Sequence, residues 1–322
     1  MLCASKKNDF IKSYICFHRR EKLKKIFDYV RKNKKKISLF VLSIIIILVV
    51  ISAFRNNKTI SHRLQWWLTN IQWDDDRNGL VGRGIKVAVL DSGIDFTHDD
   101  LKNINHKEKT YVEECNDDRN HGTAIAGIIA GYPSNDKGIL GIAPKTEILS
   151  IDITNDEVAN VENMISGIEE AIKCNVDIIN ISVGVKNDSK KLHKIIKDAY
   201  EQNIVIVASA GNYMKNEVLF PAAYDEVIAV GSYDRRGNIV SPKGNVENVI
   251  YLPGSNIATT IENNRYAGVN GTSFSTAIMT GIISIIKEKN SNISNESLYN
   301  LIYEISKDCD NKLIINKLLD NL

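Results

Sequence analysis

Five continuous apolar runs, rich in β-branched residues, restrict the fold of this chain more than any other feature. They occupy residues 85–93, 147–153, 176–183, 204–208 and 227–231. Short apolar runs of this kind, ended by turn residues, are typical of strands that are buried on both faces of a sheet. Such strands need covering layers on each side, so the chain must also supply helices.

Helical patterns follow or separate these runs, at residues 161–174, 189–202, 272–289 and 295–306. Strands that alternate with helices predict an α/β fold with a largely parallel central sheet and helices on both faces. Function in such sheets collects at the carboxyl ends of the strands. Because no repeat or low-complexity segment interrupts residues 63–322, we expect them to form one domain.

A longer apolar stretch precedes this domain. Residues 37–54 are eighteen uncharged residues, close to the roughly 20 that cross a bilayer as a helix. Residues 1–36 carry thirteen Lys or Arg against three acids, and the positive-inside rule keeps such a segment in the cytoplasm. We therefore predict a basic cytoplasmic tail, a single transmembrane anchor at 37–54, a linker at 55–62 and a domain outside the cell membrane.

Two other interpretations of residues 37–54 are a buried helix of a soluble protein and a cleaved signal peptide. Cleavage near Ala53 would release a secreted form, but the run exceeds the roughly 7–15 apolar residues of a signal peptide. The basic tail is explained as a topology signal beside anionic lipid, so no nucleic-acid partner is predicted. The five cysteines match no zinc-ligand spacing.

Three polar residues stand where helices and strands begin or end. Asp91 closes the run at 85–93, His121 opens a helix of small residues, and Ser273 follows the tight turn Asn270-Gly271 at a helix start. Each alone has a structural interpretation, such as an N-cap for the serine. Together they fit one chemistry, because a serine becomes a nucleophile when an imidazole takes its proton and a carboxylate orients that imidazole.

Asn212 is a fourth candidate. It follows a predicted strand and a glycine, and an amide in that place can donate a hydrogen bond to a tetrahedral oxyanion. Taken alone, Gly211-Asn212 would simply be a turn.

These motifs resemble those of the subtilisin-like (subtilase) serine peptidases. Asp91-Ser92-Gly93, His121-Gly122-Thr123 and Gly271-Thr272-Ser273 match the three catalytic signatures of that family in its order, and Ala210-Gly211-Asn212 matches its oxyanion segment. Residues 180–184 are similar to the strand that pairs with the substrate beside the specificity pocket. The resemblance covers about residues 63–322, which it identifies as a catalytic domain.

The resemblance implies hydrolysis of peptide bonds through an acyl-enzyme, without a cofactor for the chemistry. Ser273 would attack, His121 would act as base and then acid, and Asp91 would orient His121. Asn212 and the backbone N–H of Ser273 would stabilise the oxyanion. The substrate-binding residues that it implies are Ser182, Val183, Gly184, Ala210 and Gly211.

The chain departs from the family in two places. Ala277 stands where relatives usually have a proline that shapes the start of the helix, and because alanine is a good helix former we expect the helix to persist. Residues 54–66 leave no space for the inhibitory folding prodomain of secreted relatives. Either the protease folds without a prodomain, or a short segment or a prodomain-like activator acting in trans replaces it.

Two further expectations concern calcium and specificity. Asp100 and Asn135 fall where relatives bind a structural calcium ion, although Ca²⁺ takes about six or more oxygens and a solvated acidic loop is the alternative. The acids at 156–157 lead to the hypothesis of a preference for basic residues before the scissile bond. Leu219 and Phe220 are expected near the floor of the specificity pocket.

The sequence thus predicts a membrane-anchored serine endopeptidase, whose role would be processing of an exported peptide or leader, or turnover of surface proteins. The alternative is a catalytically inactive homologue that binds peptides as a receptor or chaperone. An esterase is disfavoured, because the serine lacks a Gly-x-Ser-x-Gly elbow.

Overall fold

The computed structural model describes one compact unit, Thr59–Leu322, in the following ranges: residues 65–73, 79–112, 119–133, 138–154, 160–212, 217–242, 249–308 and 315–322. The predicted tail, anchor and linker, at residues 1–62, lie outside these ranges. Within them, no helix combines the length and the apolar character needed to cross a bilayer.

A seven-stranded sheet forms the centre of this unit. All neighbouring strands are parallel, in the order β2-β3-β1-β4-β5-β6-β7. The predicted parallel sheet is therefore confirmed. The strands are β1 (Lys86–Asp91), β2 (His106–Thr110), β3 (Glu147–Asp152), β4 (Ile178–Ile181), β5 (Val205–Ser209), β6 (Ile228–Tyr233) and β7 (Ile250–Pro253).

Two groups of helices cover the sheet. One group pairs α2 (Asn120–Ala130) with α5 (Thr272–Lys289), and the other pairs α3 (Val161–Lys173) with α4 (Lys190–Glu201). Helix α5 is buried from Thr272 to Lys287, because β4 to β7 and α2 surround it. Both faces of the central strands are consequently shielded from solvent, which explains their unbroken apolar sequences.

Three further helices are described, of which the first and the last are adjacent, since the Ile315 N–H donates to the Ile71 carbonyl. They are α1 (Trp66–Asn70), α6 (Asn295–Asp308) and α7 (Ile315–Asp320). The tryptophans of α1 are buried, with Trp67 fully enclosed, so this helix packs against the rest of the domain. Helix α5 passes unbroken through Ala277, which is itself buried, so the missing proline does not interrupt it.

Three strand elements carry no clear signal in the sequence. Strand β2 is exposed along its whole length, because it lies at the sheet edge and needs no apolar face. Strand β7 forms the other edge. An antiparallel hairpin of β8 (Ile257–Ile261) and β9 (Arg265–Val269) stands apart from the main sheet. Strands β2 and β7 pair with strands that are remote in sequence, β3 and β6, whereas β8 and β9 pair locally across a short turn.

Candidate active site

Asp91 and His121 meet where β1 ends and α2 begins. Asp91 is 1% exposed, and His121 Nδ1 lies 2.8 Å and 2.9 Å from its two carboxylate oxygens. Since an ionised carboxylate only accepts hydrogen bonds, Nδ1 carries the proton and donates it to Asp91. This tautomer leaves Nε2 of His121 as the basic nitrogen, on the side of the ring that faces away from the carboxylate.

Glycine permits the close approach of these two elements. A methyl group on Gly122 would lie 2.1 Å from the carbonyl oxygen of Gly93, so no side chain fits there. The turn after β1 is further held by the Ser92 N–H, which donates to Asp91 Oδ1 at 2.8 Å. The Asp91 carboxylate is thus oriented from two sides before any substrate arrives.

Ser273 is the second residue of α5. It is 6% exposed, and its Oγ donates to the backbone carbonyl of Ser182 at 2.9 Å. The neighbouring ring of Phe274 lies 5.4 Å from the ring of His121, centroid to centroid. The carboxyl end of β4, the start of α5 and the start of α2 therefore converge on the serine.

The side chain of Asn212 is anchored at the start of the same helix. Its Oδ1 accepts hydrogen bonds from the N–H of Thr272 at 2.9 Å and from Thr272 Oγ1 at 3.1 Å. Thr272 Oγ1 in turn accepts from the Gly211 N–H at 3.3 Å. Because these bonds hold the amide oxygen, they direct the Nδ2 donor to the opposite side. An amide held in this way is preorganised to donate to a developing negative charge.

A buried polar network supports the carbonyl that Ser273 contacts. Asn180 Nδ2 donates to Ser182 Oγ at 2.9 Å, and Thr280 Oγ1 donates to Asn180 Oδ1 at 2.9 Å. Asn180 and Thr280 are fully buried. This network ties β4 to α5, a connection that the sequence pattern does not indicate.

The predicted substrate-binding residues lie at the carboxyl ends of two adjacent strands. Ser182, Val183 and Gly184 follow β4 directly, and Ala210 and Gly211 follow β5, its parallel neighbour. Both segments adjoin the start of α5, through the contact of Ser182 with Ser273 and that of Gly211 with Thr272. Residues 156–157, on which the preference for basic substrates was based, lie outside the described residues.

Of the two predicted calcium ligands, Asp100 lies within the described residues. Asp100 is 2% exposed, and its Oδ2 accepts from the Ile139 N–H at 2.7 Å and from the Tyr266 hydroxyl at 3.0 Å. Asn135 lies outside the described residues, among which no cluster of three potential metal ligands occurs. Among the described residues, Ile139 and Tyr266 therefore hold the Asp100 carboxylate by hydrogen bonds.

Asp152 is a neighbour of the site that the sequence reasoning missed. It ends β3 directly beside Asp91 in the strand register, and a methyl group on Gly93 would lie 2.9 Å from its Oδ2. Burial raises the pKa of the Asp152 carboxyl above its ordinary value of 3.8, while the charge of Arg119 opposes part of this rise. Its position after an apolar strand is the same signal that singled out Asp91.

The parallel α/β fold and the arrangement of Asp91, His121, Ser273 and Asn212 are features of a serine hydrolase. The sequence model of the Subtilase family matches residues 82–316. The chain therefore belongs to the subtilase family of serine proteases, and the suggested family resemblance is confirmed.

Individual relatives agree with this assignment. The chain is 36% identical over 242 residues to the minor extracellular protease Epr of Bacillus subtilis (strain 168), a match that covers 73% of this chain and 37% of Epr. It is 36% identical over 224 residues to the major intracellular serine protease of the same organism, covering 65% and 70% of the two chains. The match to Epr thus spans well under half of that protein.

Solved structures give the same result. The prenylagaramide maturation protease PagA is similar at a TM-score of 0.65 and 27% identity, covering 74% of this chain and 94% of PagA. Fervidolysin from Fervidobacterium pennivorans superposes at a TM-score of 0.74, covering 83% of this chain and 47% of fervidolysin. Its identity is 22%, so that likeness concerns the fold alone.

Proposed function

We propose that this chain is a serine endopeptidase in which Ser273, His121 and Asp91 form the catalytic triad. The observation that carries the proposal is the double contact between His121 Nδ1 and the Asp91 carboxylate. This contact directs Nε2 away from the carboxylate, as the basic nitrogen that takes a proton in this mechanism. Attack requires the hydroxyl proton of Ser273 to turn from the Ser182 carbonyl to Nε2 of His121. Proton transfer of this kind activates the serine as the acyl-enzyme forms.

The oxyanion of the tetrahedral intermediate would accept hydrogen bonds from Asn212 Nδ2 and the Ser273 N–H. Support comes from the anchoring of the Asn212 amide oxygen by Thr272. Removing one such donor typically costs about 10²–10³ in turnover. His121 would next protonate the leaving amine, and water would then hydrolyse the acyl-enzyme. No cofactor enters these steps.

The experiment compares the full-length wild type with Ser273→Ala and Ser284→Ala, each treated with a fluorophosphonate probe and tested for cleavage of casein. Ser284 is a matched control, because it is a buried serine on the same helix whose Oγ bonds only locally, to the Thr280 carbonyl. Labelling and cleavage by wild type and Ser284→Ala, both absent in Ser273→Ala, support the proposal. A folded wild type that neither labels nor cleaves favours the inactive, peptide-binding homologue or an enzyme that lacks its activator in trans.

The membrane anchor at residues 37–54 is part of the proposal. Its support is the eighteen-residue uncharged stretch after a strongly basic tail. The chain should remain in the membrane pellet after alkaline carbonate extraction, with a C-terminal tag accessible to external protease and an N-terminal tag protected. Release by carbonate, or a mature N-terminus near Ala53, would show instead that the anchor is absent or cleaved.

A physiological role in maturing an exported peptide is the most specific part of the proposal. PagA, which is similar over most of its length, is described as a maturation protease. Turnover of surface proteins is the alternative. Deletion of the gene should leave an exported peptide with its leader attached, detectable by mass spectrometry of the culture medium; full maturation in the deletion strain contradicts this role.

Calcium and an activator in trans complete the proposal. Calcium binding is common among subtilases, and Asp100 with Asn135 are the proposed ligands; the further oxygens that Ca²⁺ needs would come from residues 134–137. A rise in Tm on adding calcium, absent in Asp100→Asn, would support this site. For the activator, purified chain that labels with the probe without any other protein would show that none is needed.

A further inference from the structure

Leu219 and Phe220 lie across the ends of β4 and β5, and we call the space between the segments that follow these two strands the cleft. The N–H of Leu219 donates to the carbonyl of Ala210 at 3.2 Å. Phe220 exchanges two hydrogen bonds with Val185, at 2.8 Å and 2.9 Å. Leu219 is therefore tied to the β5 side of the cleft and Phe220 to the β4 side.

Leu219 fills the space between the two walls of this cleft. A methyl group on Gly184 would lie 2.9 Å from Leu219 Cβ and 3.2 Å from its Cδ1. A methyl group on Gly211 would lie 3.1 Å from the same Cδ1. Glycine on both walls is what gives the leucine room, so the leucine side chain occupies space that would otherwise be open.

The reacting atoms lie at the mouth of this cleft. Ser273 contacts the Ser182 carbonyl on one wall, and Asn212 directly follows Gly211 on the other. A carbonyl attacked by Ser273 with its oxygen toward Asn212 Nδ2 places its own residue between these walls. We call this residue, which supplies the scissile carbonyl, the acyl-side residue.

We infer that Leu219 makes the pocket for the acyl-side residue shallow and apolar, so that the enzyme cleaves after small uncharged residues such as alanine and rejects aromatic and charged ones. This inference rests on the proposed function and names the substrate class of that site. The leucine is half-buried, so it offers its methyl groups to the open side of the cleft. A larger acyl-side group would overlap them, and overpacking of this kind is unfavourable.

The lack of charged side chains in the pocket also supports a preference for uncharged acyl-side residues. The described residues that line it are uncharged: Ser182, Val183, Gly184, Ala210, Gly211 and Leu219. A lysine or arginine that entered this pocket would lose water without gaining a partner among them, which is costly. The pocket thus differs from the basic preference expected from residues 156–157.

The test uses full-length enzyme and peptides that differ only at the acyl-side residue, which is alanine, phenylalanine or lysine. Wild type should cleave the alanine peptide with a kcat/KM at least about 10-fold above that of the phenylalanine peptide, in line with the discrimination that hydrophobic pockets reach. Leu219→Ala should raise the ratio of kcat/KM for the phenylalanine peptide to that for the alanine peptide about 10-fold or more. Leu301→Ala, a half-buried leucine on α6, should keep the wild-type ratio.

Three outcomes overturn the inference: a wild type that prefers phenylalanine or lysine, equal rates for alanine and phenylalanine, or a folded Leu219→Ala with an unchanged ratio. The wild-type profile decides the matter alone if Leu219→Ala does not fold. Fluorophosphonate labelling distinguishes a failure of this inference from a failure of the proposed function. A wild type that labels but prefers phenylalanine overturns this inference only, whereas a folded wild type that neither labels nor cleaves overturns, for the chain without an activator, the proposed function with it.

Discussion

Two histidine–carboxylate pairs among the described residues are joined by hydrogen bonds, and they are placed very differently. His121 contacts both oxygens of Asp91, while His193 Nε2 lies 3.0 Å from Glu226 Oε2. The two imidazole side chains are almost equally exposed, at 35% and 34%. An imidazole beside a carboxylate is therefore not in itself a sign of catalysis.

The surroundings of the pairs explain the difference. The Asp91 carboxylate is 1% exposed, and His121 lies close to the helix start that carries Ser273. The ring of His193 instead stacks on Tyr224, with centroids 4.1 Å apart, and Glu226 is shared with Lys197 at 3.6 Å. In the proposed function the first pair moves a proton at a serine, whereas the second holds a helix to a loop.

The largest expected effect comes from removing each imidazole. His121→Ala should lower kcat by about 10⁶, since the loss of the catalytic base has that size in subtilisin. His193→Ala should change kcat by less than about 3-fold, since it removes a surface packing contact. The rates are to be measured with one peptide substrate on proteins that unfold at similar temperatures. Equal losses in the two variants would abolish the distinction between the pairs.

Substitution of the two carboxylates should likewise lower kcat strongly in the first pair and little in the second. Asp91→Asn should lower kcat about 10⁴-fold, because an amide no longer holds His121 in the tautomer with the proton on Nδ1. Glu226→Gln should leave turnover close to wild type. Steady-state kinetics of both variants tests this, and a mild Asp91→Asn variant would mean that the tautomer of His121 is set by some other group.

The next largest loss of kcat is expected from substitution of Asn212. Asn212→Ala should reduce kcat by about 10²–10³ with little change in KM, because the lost hydrogen bond strengthens only as the oxyanion develops. Asn238→Ala serves as a control, since Asn238 bonds Asp234 within an exposed turn. A loss that appears mainly in KM would argue that Asn212 binds the ground state.

The smallest effect concerns Asp152, the carboxylate that lies beside the first pair without an imidazole partner of its own among the described contacts. Its folded-state pKa is raised by burial, so its ionised form costs free energy in the folded state. That cost is absent below the ordinary pKa of 3.8 and complete once the pH exceeds the folded pKa. Asp152→Asn should therefore raise Tm slightly at pH 8 and not at pH 3.5.

Thermal unfolding of wild type and Asp152→Asn at the two pH values measures this difference. A variant that is less stable than wild type at pH 8 would show that the Asp152 carboxylate is stabilised by its neighbours, Arg119 foremost.

The sequence was a good guide wherever burial is periodic or continuous. The core strands and the helices α3 to α6 lie within about two residues of the predicted ranges, as is usual for such boundaries. Strand β2 escaped prediction because its residues are exposed and charged. An exposed edge strand such as β2 is defined by its hydrogen bonds to the neighbouring strand. Such bonds leave no hydrophobic pattern in the sequence.

For the site, the sequence by itself determined which residue types stand at the ends of which elements. Asp91, His121, Ser273 and Asn212 were identifiable because each follows or opens an element with a strong local pattern. The tertiary structure alone decided how they are held: the anchoring of the Asn212 amide by Thr272, the Asn180–Thr280 network and the position of Leu219 between Gly184 and Gly211. These contacts join residues far apart in the chain, and a linear pattern reports local periodicity but not which remote side chains pack together.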